Sequence, residues 1–87
     1  MSWGGRGAQE LVRLTLETYG VRCHLCGRLG ANSADHVIPR SRNGSDALAN
    51  LRPAHRRCNS ARQDMPLDEW FRRHPIRAQT LAPSRRW

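Results

Sequence analysis

The chain has 87 residues, a mass of 9.9 kDa, 15 arginines, no lysine and 7 acidic residues, giving a formal net charge of +8. A chain this short forms one small domain and buries only about 60% of its unfolded surface. With sixteen large apolar side chains between Leu11 and Phe71, its core needs support from a metal, disulfides or a partner.

No apolar run approaches the roughly 20 residues that span a bilayer. The N-terminal stretch lacks the apolar segment of a secretory signal, and three cysteines cannot pair completely. The expectation is a reducing, cytoplasmic setting with no membrane partner. A pI near 11.4 suits a polyanion, most simply nucleic acid; an acidic membrane surface ranks second because no basic amphipathic helix stands out.

In chain order, residues 1–10 read as a basic flexible arm, 11–73 as the domain and 74–87 as a tail containing prolines and arginines. Helical composition already sets in at Ala8. The spacing of Val12, Leu16 and Tyr19, with Leu11 beside them, predicts an amphipathic helix over residues 8–19 that stops at Gly20. A tight knuckle follows at Cys23–Gly27. Residues 33–39 read as a strand, 40–47 as a polar loop turning at Asn43-Gly44, and 50–53 as a second strand. A helix is expected over 55–63, and Pro66 opens a short one with Leu67, Trp70 and Phe71 on its apolar side. Trp3 and Trp87 fall in the arm and tail, where an indole could stack on a base or dock on a partner.

The strongest motif is Cys23-x2-Cys26 followed by His55-x2-Cys58, with 28 residues between the pairs. Two-residue spacers let both members of a pair reach one ion, and structural zinc favours four thiolate and imidazole ligands. All three cysteines are consumed, so Cys23, Cys26, His55 and Cys58 are the expected structural zinc ligands. His24, inside the knuckle, reads as solvated or facing DNA.

Zinc leaves Asp35-His36, Asn50 and Asn59 unexplained. Asp35 and Asn59 supply hard oxygen ligands suited to magnesium or manganese, and His36 can take a proton near neutral pH. Phosphodiester hydrolysis needs both services, a base for water and a cation at the developing charge.

In order, Cys23-His-Leu-Cys26-Gly, Asp35-His36-Val-Ile-Pro39-Arg, Asn43-Gly44-Ser-Asp46, Asn50-Leu51 and His55-Arg-Arg-Cys58-Asn59 resemble the HNH endonucleases. The resemblance covers about residues 11–62. It implies an α+β fold, a small zinc-stabilised ββα-metal (HNH or His-Me finger) domain preceded by an N-terminal helix. It also implies roles: His36 as the general base, Asn50 holding its imidazole through the amide carbonyl, and Asp35 and Asn59 binding the catalytic cation. The third family letter is asparagine, an HNN form that favours magnesium or manganese over softer metals. His55 stands where many relatives have cysteine, which preserves four zinc ligands.

Arg40, Arg42, Arg52, Arg56, Arg57 and Arg62 are the candidate DNA-backbone contacts, because guanidinium forks suit phosphate oxygens. Such contacts position a duplex without reading sequence, so low sequence specificity is expected. The function expected is divalent-cation-dependent DNA endonuclease, nicking or cutting both strands. Small relatives of this kind are often phage-encoded and serve in DNA processing or packaging, beside a terminase, which implies a bacterial cell or phage-infected host. Two alternatives stay open: a catalytically inactive zinc-dependent nucleic-acid-binding module or scaffold, and RNA as substrate.

Overall fold

A computed structural model describes residues 5–76, with side chains from Gly7 onward. Trp3, Trp87 and most of the expected tail lie outside the described residues. The first element, α1 (Gly5–Tyr19), begins three residues ahead of the expected start at Ala8, so residues 5–10 of the expected arm are helical. The first turn has no intrahelical partner for its N–H groups, so glycine there costs less than in a helix interior. Further along, Arg13 pairs with Glu10 and with Glu17, the latter at 2.7 Å, bracketing two turns on the exposed side.

The buried stripe of α1 differs from the expected one. Ala8 and Thr15 are buried and Leu11, Val12 and Leu16 partly so, while Tyr19 is 39% exposed. Thr15 tolerates full burial because its hydroxyl donates to the Leu11 carbonyl at 2.7 Å. Tyr19 instead donates its hydroxyl to the Leu48 carbonyl at 3.1 Å and lies beneath the Arg52 guanidinium. Gly20 closes the helix with φ 93°, as expected of a glycine stop.

Two four-residue strands, β1 (Ser33–His36) and β2 (Leu51–Ala54), form an antiparallel sheet with Ser33 opposite Ala54 and His36 opposite Leu51. The first strand is shorter than the expected 33–39, and the second starts one residue later than expected. Both differences have one cause: Leu48–Asn50 coils into a 3-10 turn, so beyond His36 there is no extended partner. Val37 N–H still reaches across to the Asn50 carbonyl at 2.8 Å, and Ile38 is left 52% exposed. Pro53 is tolerated because both strands of a two-stranded sheet are edges.

Between the strands, Arg40–Arg42 forms another 3-10 turn ended by Asn43 at φ 70°. At Gly44 a Cβ would stand 1.6 Å from the Ile38 carbonyl oxygen, so the expected turn closes too tightly for any side chain. Two helices complete the fold, α2 (Arg56–Arg62), capped by His55, and α3 (Leu67–Arg73), capped by Pro66. α1 packs on both strands and α2 on β1. Trp70 of α3 is buried with Cys23, Leu25, Ala31 and Ala54, and its indole N–H donates to the Leu25 carbonyl at 2.9 Å. The core is therefore built around the knuckle. Among the described residues no helix is long and apolar enough to cross a membrane.

Candidate metal centre and active site

The knuckle turns tightly, with Cys23 N–H donating to the Arg28 carbonyl and Gly27 N–H to the Cys23 carbonyl, both at 2.8 Å. His55 and Cys58 arrive from the end of β2 and the first turn of α2. The ligand atoms of Cys23, Cys26, His55 and Cys58 lie within 4.8 Å of one another. His55 Nδ1 stands 3.4 Å from Cys26 Sγ and 3.8 Å from Cys58 Sγ. Ligands on a tetrahedral zinc with ordinary bond lengths sit roughly 3.5–3.8 Å apart, so the group fits a structural zinc. The opposite ring nitrogen, Nε2, donates to the Leu29 carbonyl at 3.0 Å, which orients Nδ1 toward the sulfurs.

Burial and the neighbouring Cys23 and Cys26 sulfurs push the Cys58 thiol up to about 12. Burial also pushes Cys26 up, but the Arg28 N–H, the neighbouring thiols and the Arg57 charge outweigh it and lower that group. Cys58 thus resists ionising beside the other two sulfurs. A bound divalent cation removes that conflict, and thiolates are what it requires.

A second site opens where β1 ends. A groove of about 220 Å³ is lined by Asp35, His36, Arg40 and Asn59, with Gln63 and Asp64 at the end of α2. Neighbouring strand residues normally face opposite ways, but Asp35 and His36 both border this groove because the strand stops at His36. Asp35 is 3% exposed. Its Oδ2 accepts from His24 Nε2 at 2.7 Å and from Arg62 Nη1 at 2.6 Å. Asn59, one turn into α2, donates its amide N–H to the Ala34 carbonyl at 3.1 Å, a bond that does not use the amide oxygen.

His36 Nε2 lies 2.8 Å from Asp46 Oδ1, and Arg40 Nε stands 3.5 Å from the same oxygen. The loop carboxylate thus orients the imidazole. Asn50 does not do so, contrary to expectation. Its amide oxygen accepts the Ile38 N–H at 2.9 Å, and its amide nitrogen donates to the Ile38 and Ser45 carbonyls at 3.1 and 2.8 Å. Asn50 clamps the two ends of the loop that carries Asp46, and so bears on His36 only indirectly.

Arg62 corrects another expectation. It is 1% exposed and donates to Asp35, to the His36, Val37 and Met65 carbonyls, and to no surface group. A guanidinium so committed is structural and cannot meet a phosphate. Arg52 stacks over the Tyr19 ring at 4.3 Å and donates to the Ala49 and Leu51 carbonyls. Arg42 donates to the Asp64 carbonyl at 3.0 Å. Arg56 and Arg57 project from the start of α2, exposed. His24, expected in solvent, is turned inward with 17% of its side chain exposed. Nothing local signals the His24–Asp35 pair, whose members are eleven residues apart. Asp46 is part of the matched motif, four residues before Asn50, and that position was the available cue.

Antiparallel strands, a helix packed on the first of them, and a Cys3His set at the helix start define a ββα-metal domain. Residues 23–64 match the family model of the HNH endonuclease, so this stretch of the chain is an HNH endonuclease domain. No curated protein and no solved structure matches the chain significantly. That domain points to a nuclease-type function and to use of divalent metal.

Proposed function

We propose that the protein is a divalent-cation-dependent DNA endonuclease of low sequence specificity, with residues 11–73 as its nuclease domain. The observation that carries this reading is the groove in which Asp35, His36 and Asn59 meet. A magnesium or manganese ion held by Asp35 and Asn59 would supply positive charge at the departing 3′ oxygen. His36 takes the proton of the attacking water, its ring steadied by Asp46, while Asn50 fixes the loop that presents Asp46. Water oxygen joins phosphorus in line as the bond to the 3′ oxygen breaks, leaving a 5′ phosphate and a 3′ hydroxyl. The structural zinc belongs to the fold.

We assign the protein to the cytoplasm of a bacterial cell or phage-infected host, with phage DNA processing or packaging, beside a terminase, as its setting. Supercoiled plasmid incubated with the zinc-loaded protein is expected to be relaxed or linearised in magnesium or manganese and to stay intact in chelator. Plasmid that stays supercoiled with every divalent cation favours a non-catalytic nucleic-acid-binding module instead.

The net charge of +8 implies DNA affinity that falls steeply with salt through counterion release. Arg56→Ala with Arg57→Ala should weaken binding to all sequences alike and flatten the salt slope by about 2, one for each lost phosphate contact. Binding isotherms at several salt concentrations measure this, and an unchanged slope removes both residues from the interface. Arg62→Ala behaves differently, losing stability, since it leaves a buried carboxylate with a single donor.

A further inference from the structure

The knuckle carries more than metal ligands. His24 sits between Cys23 and Cys26, and its backbone N–H is fixed to the Pro53 carbonyl at 2.9 Å. From that anchored turn its imidazole reaches Asp35 Oδ2 at 2.7 Å, and Arg62 reaches the same oxygen from α2 at 2.6 Å. The three side chains are 17%, 4% and 0% exposed. Among the described residues no hydrogen bond engages the other carboxylate oxygen, Oδ1. A carboxylate held by one donor can still swing about its Cβ–Cγ bond. Held from two elements at one oxygen, it cannot, and the second oxygen is left to the groove.

We propose that His24 is a positioning residue for the groove's cation: its Nε2–H locks Asp35 so that Oδ1 faces the groove beside the Asn59 amide. This rests on the reading of Asp35 and Asn59 as cation ligands. Arg62 and Arg40 balance the Asp35 and Asp64 carboxylates at the groove and Asn59 is neutral, so the free protein offers the cation little net negative charge. Geometry must therefore supply much of the affinity, and His24 supplies geometry. His24 is carried on the turn between two cysteines of the zinc set while its side chain reaches Asp35, which ties the groove's alignment to the knuckle.

The test is a manganese titration of the zinc-loaded full chain, followed by the electron paramagnetic resonance signal of free Mn2+. His24→Leu is expected to weaken Mn2+ binding by about 10- to 100-fold, the usual effect of losing an outer-shell partner. His24→Asn, whose amide is too short to reach Asp35, should match it. His24→Gln, whose amide nitrogen falls near the position of Nε2, should stay close to wild type. Zinc content and cation-free DNA binding should be unchanged in all three.

Wild-type Mn2+ affinity in the Leu or Asn variant overturns the proposal. So does equal weakening in Gln and Leu, which would make ring packing the cause, and so does a wild type that binds no Mn2+. A protein whose Mn2+ binding depends on His24 but which leaves plasmid intact upholds this proposal and overturns the nuclease reading. One that cuts plasmid while binding Mn2+ independently of His24 does the reverse.

Discussion

Cys58→Ala is expected to leave the chain largely unfolded, with loss of bound zinc and of most helical circular dichroism. The reason is the composition of the core. Its buried apolar members are Ala8, Cys23, Leu25, Ala31, Ala34, Leu51, Ala54 and Trp70, of which four are alanines and one is a metal ligand. A structural zinc contributes on the order of 10 kcal/mol to folding, as much as the whole stability of an ordinary domain at about 5–15 kcal/mol. Removing Cys58 also takes one of two sulfurs facing His55 Nδ1 and unseats the first turn of α2. Elemental analysis together with thermal melts checks this. A Cys58→Ala protein that still melts cooperatively near the wild-type temperature would show that zinc is not what supports the core.

His36→Ala should do the opposite, keeping zinc and fold while plasmid cleavage falls by at least about a hundredfold, since general bases commonly contribute roughly 10²–10⁴-fold. The His36 side chain meets Asp46, itself 46% exposed in a surface loop, and His36 is not among the buried residues that form the core. Asn59→Ala, next to Cys58 in the chain, should behave like His36→Ala in cleavage. Its structural cost is the bond to the Ala34 carbonyl, about 1 kcal/mol. Neighbours with such unlike consequences separate the zinc site from the groove. Cleavage rates beside zinc content and melting curves decide it: normal cutting by His36→Ala removes that residue as the base, and loss of fold makes it a structural group.

Much of this architecture is legible without coordinates because it is written in local spacing. The paired ligands at 23, 26, 55 and 58, the stop at Gly20, the Asn43-Gly44 turn and the short helix after Pro66 each depend on a few adjacent residues. The ordered motif from Cys23 to Asn59 marks the family and the residues that border the groove. Periodicity was less informative about α1: three large side chains pointed to one stripe, whereas Ala8 and Thr15, both small, are the residues buried. Small side chains let the helix lie close to the sheet, and nothing in an apolar pattern marks a threonine that satisfies its own hydroxyl.

The roles of the polar groups were decided by the tertiary structure. Six arginines looked alike in the sequence, yet packing buries Arg62 against Asp35 and three carbonyls and lays Arg52 over Tyr19. Asp46 takes the duty expected of Asn50: the carboxylate holds His36 while the amide clamps the loop, because the 3-10 turn at Leu48–Asn50 directs Asn50 at the backbone of Ile38 and Ser45. His24 turns inward for the same kind of reason. A residue's type and spacing determine which bonds it is able to make. Which of them it does make depends on what the fold brings within about 3 Å of it, and for His24 and Arg62 those partners are eleven and twenty-seven residues away.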